Sequence, residues 1–456
     1  MLTIPSRSNC NQCNCNQWVP RALLIVFLLG SVSVLTYAGD KNKKTSNDAA
    51  AQATGPQGEP IDYSKLVWPN PPAIARVRWM NYFAGMKIDY TPAAKTKKKQ
   101  SWMDRVAGAK QEDNVDRLKT FPWQLLRPYG IAIDSKGLVY VADQKVGAVF
   151  IFNTETHDVT LIKNGVDAHF GMINGVAIDD GDRLFVSDGK MHRVLVFDPK
   201  HRIEGQITDG LIDPVGMAVD NENRFLYVVD EQQDLVQVYD ADSLKLLRHI
   251  GTPGKKHTST LPGEFGGASN VALDQDGNVY VTDTMNNRVE IFDAEGTFVS
   301  QFGKHGDGPG YFARPKGIAV DSDGHIWVAD QYQDRVEVFN REGQLLTYIG
   351  DVHASGLGQF RALVGIAIDK QNRVFTTEQY PGRMQEFRYI TDAEAAQEKA
   401  KREEELAKAA SARRGAASDS APKPAEAPAA KPQVPTPDQK PPDAPAQTPA
   451  QAPPGR

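Results

Sequence analysis

One unit occurs six times in this chain, and nothing else in the sequence restricts its fold as strongly. The copies read PYGIAIDSKGLVYVADQKVGAVFIFN from Pro128, INGVAIDDGDRLFVSDGKMHRVLVFD from Ile173 and PVGMAVDNENRFLYVVDEQQDLVQVYD from Pro214. They continue as ASNVALDQDGNVYVTDTMNNRVEIFD from Ala268, PKGIAVDSDGHIWVADQYQDRVEVFN from Pro315 and LVGIAIDKQNRVFTTEQYPGRMQEFR from Leu363. The equivalent positions Gly130, Gly175, Gly216, Asn270, Gly317 and Gly365 lie 45, 41, 54, 47 and 48 residues apart. A period of roughly 40–50 residues carrying several short strands is that of a propeller blade.

Each copy reads as strands and turns. Gly317 to Val320 is a short apolar run, and Asp321-Ser322-Asp323-Gly324 is a tight turn whose glycine tolerates positive φ. His325 to Ala329 and Val336 to Phe339 are further strands, and Gln344 to Ile349 is a fourth. Apolar residues on both faces mean that each sheet packs between two others, so the copies must close into a ring. The expected fold is all-β: a six-bladed β-propeller of four-stranded blades over 66–390. The sixth copy supplies only three strands. The segment 75–83 is strand-like, with Val77, Trp79 and Phe83 on one face, and is expected to be the missing outer strand. The stretch 86–127 is then a long lysine-rich connection with a short helix near 101–106.

These copies resemble NHL repeats in their P-x-G-I-A-V-D start, Y-V-A-D second strand and D-x-x-x-x-R-V lead into the third. Asp143, Asp188, Asp230, Asp283, Asp330 and Glu378 recur, with Arg193, Arg288, Arg335 and Arg383 five residues after four of them. Ala148 and Leu235 replace the arginine in the first and third copies. The linkers GEFGGASN and GPGYFARPKG resemble the family's glycine-phenylalanine joint. The resemblance implies fold and little about function, because this fold hosts unrelated activities. Residues repeated in every blade serve a need of every blade, so the Asp/Arg pairs are expected to pin the turn between second and third strands. Function belongs where the copies differ.

Charge narrows the partners. From 121 to 390 there are 25 Lys and Arg against 38 Asp and Glu, a formal charge of −13. An acidic domain is a poor match for phosphate backbones, and the family's RNA-binding members use a basic face, so nucleic acid is not expected. Lys255-Lys256 and Arg314 with Lys316 are local exceptions. Cys10, Cys13 and Cys15 are the three cysteines, all outside the repeats, so no disulfide staples the propeller.

Catalytic motifs are absent: there is no nucleophile elbow, phosphate loop or H-E-x-x-H. Five of the nine histidines map to the loops that open on one channel mouth: His169, His192, His257, His305 and His353. Imidazole suits zinc or copper. NHL-like propellers include peptidyl-amidoglycolate lyases, which hold zinc with histidines near the channel. Gluconolactonase-like propellers hold calcium with an inner Glu/Asn/Asp set, and here Asn174 and Asn270 lack an acidic neighbour in sequence. No cofactor is assigned; zinc and calcium are the metals those relatives would imply. The preferred ligand-binding set is Tyr129, Phe170, Met172, Asn174, Asn270 and Lys316, which flank the inner strands and differ between copies.

The ends of the chain complete the expectation. A mostly apolar 17-residue run at 22–38 follows Arg21 and precedes Asp40. Its length lies between a signal-peptide core and a minimal membrane span. Residues 1–39 are thus a cleaved signal or a retained anchor, 40–65 a polar linker, and the propeller is extracytoplasmic, bacterial periplasm being the expected compartment. Thr391-Asp392-Ala393-Glu394 is a capping box that opens a charged, exposed helix over 391–415, stopped at Gly415. The Pro/Ala-rich 416–456 is expected to be a disordered spacer. The whole reads as a non-catalytic binding or scaffold module for a protein, peptide or small ligand. It meets membrane only through its N-terminal segment. The alternative is a metal-dependent lyase or lactonase at the same mouth.

Overall fold

The computed structural model describes residues 66–86, 122–252, 260–350 and 356–419, with side chains of the last helix described to residue 412. Six antiparallel sheets form a closed ring. Blade 1 comprises Pro128–Ile133, Val139–Asp143, Ala148–Phe152 and Val159–Lys163, from the axis outward. Blades 2 to 5 repeat this order from inner strands Ile173–Ile178, Pro214–Asp220, Ala268–Leu273 and Pro315–Val320. Blade 6 starts with Leu363–Ile368, and its inner strand lies against that of blade 1.

The repeated glycine has a steric cause. In every blade the pairing of inner and second strands shifts register just after the first inner residue, as between Pro315 and Gly317. At that shift neighbouring blades meet backbone to backbone. A Cβ on Gly130 would stand 2.6 Å from the Asn174 carbonyl oxygen, and one on Gly317 would stand 2.6 Å from that of Val364. Outside this ring of contacts, six apolar clusters fill the six spaces between adjacent blades. Fully buried Trp327, Tyr227, Phe185 and Phe150 are among the largest side chains in them. Each such side chain stabilises the ring by about 1.5–3 kcal/mol.

Closure follows the expected route. Val77–Phe83 pairs antiparallel with Arg383–Tyr389 as the fourth strand of blade 6, with Val77 opposite Tyr389 and Phe83 opposite Met384. Val77, Trp79 and Phe83 are buried, while Met80 and Tyr82 face outward. Trp79 Nε1 donates to Gln385 Oε1 at 3.0 Å. The sequence reading stopped one strand short. Val67–Trp68 adds a fifth strand to this blade, and Trp68 packs edge-on against Phe387 at 5.9 Å. Two residues are too few to show a period.

The ends of the 86–127 connection are held together: Gly85 bridges Gln124, whose Nε2 donates to the Met86 carbonyl at 2.8 Å. The helix expected at 101–106 lies outside the described residues, as do the cysteines, the apolar run 22–38, Lys255-Lys256 and the tail from 420. Among the described residues no helix is long and apolar enough to cross a membrane. The C-terminal helix spans Asp392–Asp419 and continues four residues past the expected stop at Gly415. Its capping box is formed: Glu394 N donates to Thr391 Oγ1 at 3.2 Å, and Thr391 N donates to Glu394 Oε2 at 3.0 Å. The helix is tied to the propeller at Asp392, which pairs with Arg76, and at Arg402, which donates to the Pro72 carbonyl at 2.7 Å. Leu406 is exposed.

Candidate functional site: the channel mouth

The repeated acids are structural, though not in the way the Asp/Arg spacing suggests. Asp330 accepts four backbone amides, from Ala313 (2.7 Å), Arg314 (3.1 Å), Tyr332 (3.0 Å) and Gln333 (3.0 Å). Asp143 does the same with Leu126, Arg127, Lys145 and Val146. Asp143, Asp188, Asp230 and Asp330 thus clip the turn after the second strand to the connection entering their own blade, while Asp283 and Glu378 accept one amide from that connection, Gly266 and Arg361 respectively. The arginine joins its acid in two blades only, Arg288 to Asp283 at 2.8 Å and Arg383 to Glu378 at 2.5 Å. Arg193 instead donates to the His169 carbonyl at 2.6 Å, and Arg335 to that of Asp307 at 3.4 Å. Backbone amides are the first need of a buried carboxylate here, and the arginine is optional.

Hydroxyls form a second set of fasteners. Ser187, Thr282 and Thr377 hold one position in the second strands of blades 2, 4 and 6, where the other blades carry Ala142, Val229 and Ala329. Ser187 Oγ donates to the Val215 carbonyl at 2.6 Å, Thr282 Oγ1 to that of Lys316 at 2.9 Å, and Thr377 Oγ1 to that of Tyr129 at 2.7 Å. Alternate blade junctions are thereby stitched at the inner strands. The stitches fix the backbone from which the mouth side chains project.

At the axis these strands wall a polar channel. Tyr129, Asn174, Ser269, Asn270 and Lys316 all line it. The space open to water is about 60 Å³, room for roughly four or five water molecules. A drug-sized ligand therefore cannot enter fully and would sit over the opening. Gln144 Nε2 donates to Asn174 Oδ1 at 2.8 Å, and Asn174 Nδ2 donates to the Pro214 carbonyl at 3.3 Å. Asn270 stands where the other blades have glycine, and its Oδ1 accepts the Val271 amide at 2.9 Å. Lys316 is 5% exposed, and its Nζ stands 3.8 Å from Glu231 Oε1.

The wall thus gathers four of the six expected ligand residues. Phe170 is elsewhere, buried in the core between blades 1 and 2 with its ring 6.3 Å from that of Phe197. Three residues ahead of the inner strands stand Leu125, Phe170, Leu211, Phe265, Phe312 and Phe360, all buried. Phe170 is a joint residue common to all copies, and alignment of the linkers carries that signal. Met172 is exposed at the rim, beside the channel and not in its wall. Two further charged residues from blade 3 stand near this wall: Glu231, 3.8 Å from Lys316 Nζ, and Asp213, whose buried Oδ1 has no hydrogen-bond partner. Burial and the neighbouring Glu231 and Asp230 carboxylates hold the Asp213 carboxyl above its ordinary range, against the pull of His192 and Lys316.

The described histidines of the set, His169, His192 and His305, are not gathered into a metal site. His192 Nδ1 bonds the Ile212 carbonyl, while His305 lies in a loop bridged to Phe312. His257 and His353 fall outside the described residues. Among the described residues, no group of three or more His, Cys, Asp or Glu side chains is placed to hold a metal ion.

Comparison with known families agrees with this architecture. Residues 170–197 match the NHL repeat, and residues 264–336 match the family described as 6-bladed beta-propeller. The chain is a six-bladed propeller that carries the NHL repeat. No curated protein matches it by sequence. Among solved structures, virginiamycin B lyase from Staphylococcus aureus is similar at 14% identity and TM-score 0.44, over 58% of this chain and 96% of that one. A gluconolactonase from Xanthomonas campestris is similar at 17% identity and TM-score 0.43, over 59% and 89%. A protein of unknown function from Bacteroides thetaiotaomicron is similar at 19% identity and TM-score 0.47, over 58% and 70%.

Proposed function

We propose that this NHL-type propeller is a binding module, with no chemistry of its own, that receives a protein, peptide or small polar ligand at the channel mouth. One observation carries the reading. The side chains that differ between copies converge on a single polar opening, whereas the repeated acids and the joint residues are consumed in bonds and packing that hold the ring. The rigid inner strands fix the wall before any ligand arrives, which lowers the ordering cost of binding. The apolar run at 22–38 supports placing the module outside the cytoplasm, with that run as cleaved signal or retained anchor. Cell fractionation with N-terminal sequencing of the recovered protein tests the placement.

The binding reading is tested by selecting ligands from a mixed peptide and small-molecule library on the purified protein. The same selection is run on the double variant Tyr129→Ala, Asn270→Ala. Ligands kept by the wild type and lost by the variant support the mouth; ligands retained equally by both overturn it. Metal analysis addresses the rival enzyme reading. Stoichiometric zinc or calcium that disappears with His169→Ala or His305→Ala would favour a metal-dependent lyase or lactonase.

A further inference from the structure

The two faces of the ring differ in charge and in apolar exposure. Turns joining first to second strands, and third to fourth, lie on the face away from the mouth. They carry 17 Asp and Glu against 8 Lys and Arg and no exposed large apolar side chain, so that face is acidic and polar throughout. The mouth face reverses both properties along one arc, from blade 6 through blade 1 to blade 2. In blade 6 the Tyr380 amide donates to the Arg361 carbonyl at 3.4 Å, and both side chains are exposed. The same turn ends at Gly382, where a Cβ would stand 2.5 Å from the Leu125 carbonyl oxygen, so it lies against the connection into blade 1. Leu126 and Arg127 are exposed on that connection. The Asp143 carboxylate accepts the amides of both Arg127 and Lys145, which sets exposed Lys145 beside them. Gln144 Nε2 carries the arc to blade 2 by donating to Asn174 Oδ1 at 2.8 Å. There the Gly189 amide donates to the Met172 carbonyl at 3.1 Å, which brings Met172 to exposed Lys190 and Met191.

Four cations, Arg361, Arg127, Lys145 and Lys190, are thus interleaved with exposed apolar side chains. Among the described residues none of the four is in an ion pair. The acids of the arc are already engaged. Asp143, Asp188 and Glu378 are buried in their clips, and Asp167 accepts the Lys163 amide at 2.8 Å on the outer strand of blade 1. Blade 3 is the reverse: Asp209, Asp213 and Glu231 stand in its connection and turn, 208–213 and 231–234, with no Lys or Arg. We infer that the arc over blades 6, 1 and 2 docks a protein segment that carries Asp or Glu among apolar residues. Its acids meet the four cations, and its apolar residues cover Tyr380, Leu126, Met172 and Met191. A basic segment would be repelled by the same cations. The chain's own residues 420–456 do not fit, with four Lys and Arg against three Asp and Glu and Val434 as their one large apolar residue. An anionic membrane fits less well, because a flat surface laid on the arc would also bring the acids of blade 3 to its headgroups, whereas a segment can pass them by. The inference rests on the binding-module reading and names the chemistry of its partner.

The test selects a random peptide display library on the purified full chain. The expected peptides are enriched in Asp and Glu and in Leu, Ile, Phe and Trp over the starting library, and depleted in Lys and Arg. A recovered peptide, synthesised and titrated, should bind roughly tenfold or more weakly to Lys145→Glu, Lys190→Glu, since two attractions become repulsions. Tyr380→Ser should weaken it by a similar factor through lost apolar contact. Lys200→Glu, Lys370→Glu makes the same reversal at exposed positions on the acidic face and should leave binding unchanged. Thermal melts confirm that each variant is folded. Vesicles of phosphatidylglycerol and phosphatidylcholine are the parallel probe. Peptides enriched in Lys and Arg, peptides indifferent to the Lys145 and Lys190 reversal, no peptide at all, or vesicle binding without acidic peptides overturns the inference. If recovered peptides ignore that reversal but are lost with Tyr129→Ala, Asn270→Ala, the mouth stands and only the class of partner is wrong. If they ignore both, the mouth is not the binding site.

Discussion

At the scale of single residues, the buried acids divide by how many donors they receive. Asp143 meets four backbone amides at 2.6–3.0 Å and is fully buried. Asp143→Asn should cost about 2–4 kcal/mol, since one side would then face amide donors with another donor. Urea unfolding measures it. Glu290 and Glu337 are less well served. Each accepts one glycine amide, from Gly263 and Gly310, and each has a second oxygen without a partner. Burial pushes both up to about 7, although Arg288 and Arg335 pull the other way. A glutamate ionises near 4.5 in the unfolded chain, so between about pH 4.5 and 7 the folded state holds a proton that the unfolded state releases. Stability from these groups is therefore highest below that window, falls as pH rises through it and is level above it. Glu290→Gln should remove its share of the slope. The variant should gain roughly 1–3 kcal/mol over wild type at pH 8 and little at pH 4. Arg288 still has Asp283 to pair with in that variant, the two being 2.8 Å apart in the wild type. Unfolding curves at the two pH values check the difference.

At the scale of elements, the closing strand and the helix make opposite contributions. Val77–Phe83 covers an edge that would otherwise expose Arg383–Tyr389 and the ring of Phe387. Trp79→Ala should destabilise the propeller by about 3–5 kcal/mol, read as a lower urea midpoint. The C-terminal helix is polar all round, so a chain ending at residue 398 should melt within a few degrees of the full one. Calorimetry tests that. Strands were legible in the sequence wherever the repeat supplied six aligned examples, and the closing strand was legible because the sixth copy lacked one. Val67–Trp68 was not legible, since pairing with Val77–Phe83 creates it. The six joint residues show the converse: the pattern is present in the aligned linkers, but Phe170 taken by itself looks like ligand surface. Tyr129, Asn174, Asn270 and Lys316 were legible as the positions where copies differ. Glu231 was not, because its place beside Lys316 depends on which blades the ring brings near one another.

At the scale of the whole molecule, the ring separates support from recognition. Six apolar clusters, the carboxylate clips and the alternating hydroxyl stitches act between or within blades and leave the axis free. What remains there is polar, asymmetric and incompletely satisfied, as expected of a wall that waits for a ligand. The central claim is that recognition happens at that mouth and not on the outer strands, which also expose apolar residues such as Val299 and Leu247. Site-directed photocrosslinking in the producing cell tests it most directly, with the crosslinking residue placed at Met172 on the rim or at Val299 on the outside of blade 4. The account predicts a discrete adduct from position 172 that disappears when Tyr129 and Asn270 are changed to alanine, and none from position 299. Adducts from position 299 without any from 172 would contradict it.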